Sequence, residues 1–296
     1  MSELTELAVP LFVPPPFHGE ALLTFLGRHA VAGVETWTDE TDGAGRSITY
    51  RRTLSLPHAP AVLTLRWAAG VLSAGLRLGD HRDLTAGKAR IEHLCDLTVD
   101  PAEVAAHLSR DEQLRPLVAS APGLRVPGVV DLHEHLFRTM LGQQISLAGA
   151  ANLAAKLVGR FGEALPAPLS GAAPGPLTHL FPTAAALAAA DPATLPMPRA
   201  RGRALVLTAE ALADGSLTLE PRSDAAETRA GLLACPGIGP WTADYVLMRG
   251  LHEPDILLSS DLVVKRELLA RGLVSTVAWA PWRSYATMHL WRAYTG

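Results

Sequence analysis

The sequence predicts an α+β protein, in which an N-terminal unit built on an antiparallel sheet is joined to a mostly helical body. Strand-like patterning is confined to the residues before about Gly87, and from about Lys88 the periodicity turns helical and stays so. The composition, 48% hydrophobic and 19% charged with mean hydropathy +0.18, supplies enough apolar surface for folded cores and excludes general disorder. At 296 residues the chain calls for two or three packed subdomains.

In order along the chain, residues 20–32 carry a helical period. Residues 47–56 (SITYRRTLSL) and 61–67 (AVLTLRW) read as strands, bounded by turn-rich segments at 42–45 and 57–60. Leu94, Leu97, Val104 and Leu108 then mark helix faces, with Asp100-Pro101 as a start signal. Residues 131–161 read as two helices meeting near Gly142, and 183–190 and 201–213 as two more. Residues 166–176 form a Pro/Gly/Ala loop with no evident chemistry.

Bulk properties narrow the function. No apolar run of about 18 residues predicts a membrane span, and the N-terminus lacks a signal-peptide pattern, so a cytoplasmic protein is expected. Cys95 and Cys235 are too few for a disulfide framework, a four-thiolate zinc site or an iron–sulfur cluster, and read as buried free thiols. A net charge of -3 and a pI near 6.4 argue, taken alone, against a nucleic-acid partner. The basic residues are nevertheless bunched: Arg199, Arg201 and Arg203, the pair Lys265-Arg266, and Arg283 with Arg292. They read either as solvated helix faces or as one phosphate-facing surface.

Residues 232–271 are the most informative. Asp224, with Glu227 three residues on, opens a helix that stops at Pro236; a second begins near Trp241. The connection is Pro236-Gly237-Ile238-Gly239-Pro240. Its glycines permit unusual backbone angles and leave N–H groups uncovered beside the positive end of the next helix, an arrangement that grips a phosphate without lysine. A tight helix–helix turn around a buried Ile238 would use the same residues.

The hairpin motif LxxxPGIGxWTA, an aspartate about twenty residues later, and PWRSYAxxHxW at 281–291 together resemble the helix-hairpin-helix DNA glycosylase superfamily, in particular the bacterial DNA-3-methyladenine glycosylase II family. Further similar stretches are GVETW (33–37), LRVPG (124–128) and LGQQIS (141–146). The resemblance implies a TATA-binding-protein-like N-terminal domain at 1–87 and a glycosylase body at 88–296. Within the body, 130–250 would hold the hairpin, and 88–129 with 251–296 would form the other side of the cleft. It implies removal of alkylated purines, such as 3-methyladenine and 7-methylguanine, from double-stranded DNA by base flipping, performed by a monomer that requires no cofactor.

Residue by residue, the resemblance makes Asp261 the catalytic carboxylate. Departure of a base leaves positive charge on the sugar, which a fixed carboxylate stabilises. A cationic alkylated purine leaves without the acid that glycoside hydrolysis usually needs. Asp261 would also cap the helix at 262–270, and the two roles are compatible. Trp241, Tyr245 and Trp291 match pocket aromatics that stack on an extruded, electron-poor base, whereas Trp279 and Trp282 read as core. Gln144 matches the side chain that fills the gap left by the base. Gly237, Ile238, Gly239, Thr242 and Lys265 complete the implied DNA contacts, and main-chain oxygens around Cys235 and Ile238 an implied monovalent cation (Na+ or K+) site. Trp241 stands where related base-excising lyases carry a Schiff-base lysine, so strand cleavage is not expected. Two other readings remain: a non-catalytic hairpin protein that binds DNA, and a glycosylase for a different lesion.

Overall fold

A computed structural model of the chain describes residues 6–43, 45–170, 177–273 and 275–295. The N-terminal half of the fold is a five-stranded, wholly antiparallel sheet in the order β1 (Leu7–Ala8), β5 (Val71–Leu78), β4 (Ala61–Ala68), β3 (Gly45–Leu54), β2 (Glu35–Asp42). Ile48, Tyr50, Leu63, Leu65 and Leu76 are fully buried in one core with Leu22, Leu23 and Leu26 of α1 (Gly19–Arg28) and Ile91 and Leu94 of α2 (Leu84–Leu94). Helix α1 lies so close to the sheet that a Cβ on Gly27 would fall 2.2 Å from the Trp37 ring. The sequence reading located β3 and β4 but not their neighbours. Edge strand β2 (ETWTDETD) is polar and half-exposed, and β5 is diluted by Ala74 and Gly75, so neither shows strong alternation.

The helical body has two further cores that share one helix. The first joins α5 (Leu132–Gly142), α6 (Leu147–Phe161), α8 (Ala184–Ala188), α9 (Arg199–Ala213) and α10 (Ala225–Ala234) to Ala243 and Val246 of α11 (Pro240–Gly250); the one-turn α7 (Ala167–Ser170) lies outside it. The second joins α3 (Pro101–Leu108), α4 (Arg115–Ser120), α12 (Leu262–Ala270) and α13 (Arg283–Thr295) to Met248 of the same α11. The predicted pairs at 131–161 are borne out, with Asp131, Ser146, Thr183 and Asp224 as N-caps whose side chains accept main-chain N–H groups. The loop expected at 166–176 begins instead with α7, and residues 171–176 lie outside the described residues. No helix among the described residues is long and apolar enough to cross a membrane.

Sheet and body are joined by a buried group of charges. Arg52 of β3 donates to Glu35 at 3.2 Å and to Glu134 of α5 at 2.7 Å. Arg138, one turn after Glu134, donates to Glu134 at 2.7 Å, to Glu35 at 3.1 Å and to the His29 carbonyl at 2.5 Å. Tyr50 adds its hydroxyl to Glu35 at 2.5 Å. Two guanidiniums thus alternate with two carboxylates at an interface where an unpaired charge would be severely penalised. Burial alone would raise the Glu35 carboxyl; Arg138 and Arg52 overcome it and lower it to about 2.

Removing one member leaves the others unbalanced. Arg52→Met is expected to destabilise the fold by about 3–5 kcal/mol at pH 7, measured by urea denaturation. Because the Glu35 folded-state pKa lies below its ordinary 4.5, its contribution is present above that value and fades as pH falls toward about 2. The wild type should therefore lose stability through this window, while the variant, whose carboxylates repel at neutral pH, should lose distinctly less.

Candidate active site

The hairpin is built as its sequence suggests. Helix α10 ends at Ala234, the main chain turns through Gly237 at φ +77°, and Gly239 caps α11 with Pro240 at its first position. The two glycines have different reasons. Gly237 needs the left-handed conformation and faces Ala204, whose Cβ would lie 3.1 Å from an added Cβ. Gly239 has ordinary angles and open space beside it, so nothing in the fold demands glycine there. Ile238 is 6% exposed and sits in the first helical core. Thr242, read as a DNA contact, is only 3% exposed and turns its hydroxyl inward to accept from Gln143 Nε2 at 3.0 Å. Neither side chain presents itself at the surface, which leaves the main-chain N–H groups of the turn as its outward chemistry.

Asp261 is the N-cap of α12, and its carboxylate gathers four donors. Oδ1 accepts the main-chain N–H groups of Val263 and Val264 at 2.9 and 3.0 Å and the Trp291 indole N–H at 3.1 Å. Among the described residues Oδ2 accepts only the Trp241 indole N–H, at 3.2 Å, which leaves that oxygen lone-pair capacity. Trp241 stacks on Tyr245, one turn along α11, with ring centroids 5.0 Å apart, and Tyr245 meets Trp291 edge-on at 6.0 Å. The four residues the sequence singled out from three different helices therefore form one half-buried cluster on the wall of a cleft of about 750 Å³.

Asp261 is brought there by the PWRSYA motif. Arg283 pairs with Asp255 through two 2.6 Å bonds, Ser284 Oγ donates to the Glu253 carbonyl at 2.6 Å and accepts from Ile256 at 3.0 Å, and Tyr285 donates to Asp96 at 2.8 Å. These contacts pin the segment leading to Asp261 against the start of α13, which carries Trp291. Arg283 is thus engaged in an ion pair while about a third of its side chain stays exposed, at 35%. Trp279, fully buried, donates to Asp111 at 2.8 Å and is the core residue expected of it.

Gln144 lies exposed between α5 and α6 at φ +60°, a conformation unfavourable for a residue with a Cβ. Its neighbours hold it so. Gln143 donates its side-chain amide to the Gly237 carbonyl at 2.9 Å as well as to Thr242, and Arg201 donates to the carbonyls of Met140, Leu141 and Gln143 at 3.2, 3.1 and 2.7 Å. Arg201, counted among the surface basic residues, is a brace for this loop, while Arg199 and Arg203 are exposed. Lys265 is exposed one turn beyond Asp261 and does not line the cleft. Cys95 is buried as expected, but Cys235, at the start of the turn, is only partly so.

The opposite wall comes from α1 and α5 and was not foreseen. The Arg249 guanidinium lies 4.8 Å from the Phe25 ring centroid and 5.5 Å from that of Tyr245, donates to the Tyr245 hydroxyl at 2.9 Å, and is anchored to the carbonyls of Pro127 and Gly128 at 2.7 and 3.0 Å. It bridges the two walls. Burial and then the Arg249 charge push His135 well below its ordinary pKa and lower His29 to about 4, so both rings are neutral at pH 7. Phe25 and His29 carry no motif; their helical period marks only a face of α1.

Comparison with known proteins agrees with this architecture. Residues 8–131 match the family model described as the AlkA N-terminal domain. The chain is 39% identical over 293 residues to a Mycobacterium tuberculosis protein named probable bifunctional transcriptional activator/DNA repair enzyme AlkA, covering 96% of this chain and 56% of that one. It thus spans about half the length of its mycobacterial relative. It is 34% identical over 286 residues to Escherichia coli DNA-3-methyladenine glycosylase 2, covering 94% of each. Its fold superposes on 3-methyladenine DNA-glycosylase from Archaeoglobus fulgidus with a TM-score of 0.75 over 98% of each chain at 19% identity. It also superposes on Clostridium acetobutylicum 8-oxoguanine glycosylase/lyase bound to double-stranded DNA, with a TM-score of 0.66 over 87% of each chain at 17% identity. The hairpin, the capping aspartate and near-full-length identity to the enterobacterial enzyme converge on one assignment: the chain belongs to the AlkA family of helix-hairpin-helix glycosylases.

Proposed function

We propose that the chain hydrolyses the N-glycosidic bond of alkylated purines in duplex DNA, with Asp261 as its catalytic carboxylate. The observation that carries this reading is the convergence of Asp261, Trp241, Tyr245 and Trp291 in one cleft. A purine turned out of the duplex stacks on the aromatic faces, which favour a cationic, electron-poor ring. As it departs, positive charge develops on the sugar beside Asp261. The indole and main-chain donors hold the carboxylate in place beforehand, so little reorganisation is needed. Oδ2, with one donor, is the oxygen left to face the sugar or to take a proton from attacking water.

DNA is held by elements that need little net positive charge. The uncovered N–H groups at the start of α11 take a phosphate, and Arg199, Arg203, Lys265 and Arg266 are exposed on the same body. Gln144, fixed in its strained conformation, fills the space the base vacates and offers its amide to the partner base. The monovalent cation expected at the hairpin would rest on main-chain oxygens near Cys235 and Ile238. Among the described residues the Cys235 carbonyl accepts only a long 3.3 Å bond from Ile238, which leaves it a lone pair for an ion.

Three measurements test this reading. Asp261→Asn keeps the cap and most of the volume but removes the charge. Release of 3-methyladenine and 7-methylguanine from methylated duplex should fall by about 10²–10³-fold or more, while binding to an abasic-site analogue persists. Activity within a few-fold of wild type would refute the role. Borohydride added during turnover should trap no protein–DNA adduct, because the Trp241 indole is not nucleophilic and Lys265 points to solvent; an adduct lost on Lys265→Ala would reverse this. Gly239→Ala should change stability by about 1 kcal/mol or less, yet weaken duplex binding several-fold and reduce its salt dependence, since the methyl group enters open space beside the proposed phosphate. Unchanged affinity would move the DNA contact elsewhere.

A further inference from the structure

We propose that His29 is a specificity-determining residue of the cleft, whose Nε2 accepts a hydrogen bond from the exocyclic amino group of an extruded purine. The inference rests on the glycosylase reading and adds the chemical class of base preferred. His29 Nδ1 lies 2.7 Å from the Phe25 carbonyl. A carbonyl can only accept, so Nδ1 carries the proton, and in the neutral ring Nε2 is left with a lone pair. The ring is neutral at the pH of interest: burial, the Arg249 charge and, more weakly, Arg138 lower it to about 4. Its orientation is fixed by the Nδ1 bond and by packing on Phe25, with centroids 4.2 Å apart and planes inclined by 30°.

His29 lines the same cleft as Asp261 and the aromatic cluster, and no described residue donates to its Nε2. The guanidiniums beside it are donors, and the nearby Glu35 carboxylate is already taken by Tyr50, Arg52 and Arg138. Arg249 links the Phe25 and Tyr245 rings, and Arg138 bonds the His29 carbonyl itself. A fixed acceptor among donors and ring faces selects for an N–H group on the bound molecule. Amino groups of adenine- and guanine-derived bases provide one. A purine whose amino nitrogen is closed into a ring, such as 1,N6-ethenoadenine, does not.

The test compares single-turnover release of 7-methylguanine and ethenoadenine from otherwise identical duplexes. His29→Phe keeps a ring against Phe25 but has no acceptor, whereas His29→Gln restores an acceptor oxygen. The Phe variant should release 7-methylguanine on the order of tenfold more slowly than wild type, as expected for an amino group left without its partner. Its ethenoadenine rate should stay within about twofold, and the Gln variant should recover at least half of the loss. An equal fall on both bases, no fall on 7-methylguanine, or a Gln variant as slow as the Phe variant would overturn the proposal and leave the glycosylase reading standing. Failure of the wild type to release either base would instead refute that reading, and this inference with it.

Discussion

A single carboxylate organises the working end of this molecule. Asp261 terminates α12 by taking two of its free N–H groups, and with its remaining capacity it takes one indole from α11 and one from α13. For those donors to reach one group, three helices from separate parts of the sequence must converge. The clamp around Arg283 and Ser284, the burial of Trp279 and the meeting of two cores on α11 all serve that convergence. On the proposed reading, folding and chemistry make the same demand on the residue. A helix cap requires a short acceptor at this position, and stabilising a positively charged sugar requires that the acceptor carry charge.

The second wall depends on a different device. Four charged side chains at the junction of sheet and body satisfy one another completely enough to be buried. Their alternation fixes α5 relative to β3, and with it the position of α1 across from Tyr245. Arg249 continues the connection with no carboxylate partner among the described residues, relying on two carbonyls, a hydroxyl and two ring faces. The result is a cleft lined by aromatic rings and by charges of both signs, whose histidines are kept uncharged by burial and, after it, by the Arg249 charge.

What could be read from the sequence followed from how local each signal is. The caps at Asp131, Ser146 and Asp224 and the turn at Gly237 depend on residues a few positions apart, and the hairpin and aspartate have a recognisable spacing. The wall formed by Phe25, His29 and Arg249 depends on contacts across more than two hundred residues, which no local pattern records. Strands β2 and β5 escaped because one is polar at an open edge and the other is diluted by small residues. The partners of Thr242, Arg201 and Arg283 stay hidden for a related reason: residue type suggests solvent or DNA, and only the fold reveals Gln143, the loop carbonyls and Asp255 beside them.

The bridge from Gln143 to Gly237 has a mechanical consequence. It ties the exposed loop carrying Gln144 directly to the helix-hairpin turn, and Arg201 fastens the same loop from a third helix. The distance between the two elements is therefore a fixed gauge, set before any encounter. On the proposed reading, such an enzyme does not mould itself to the duplex; the duplex must bend to the gauge. Sites where damage has already weakened stacking yield most readily, so discrimination begins in the stiffness of the DNA before any base enters the cleft.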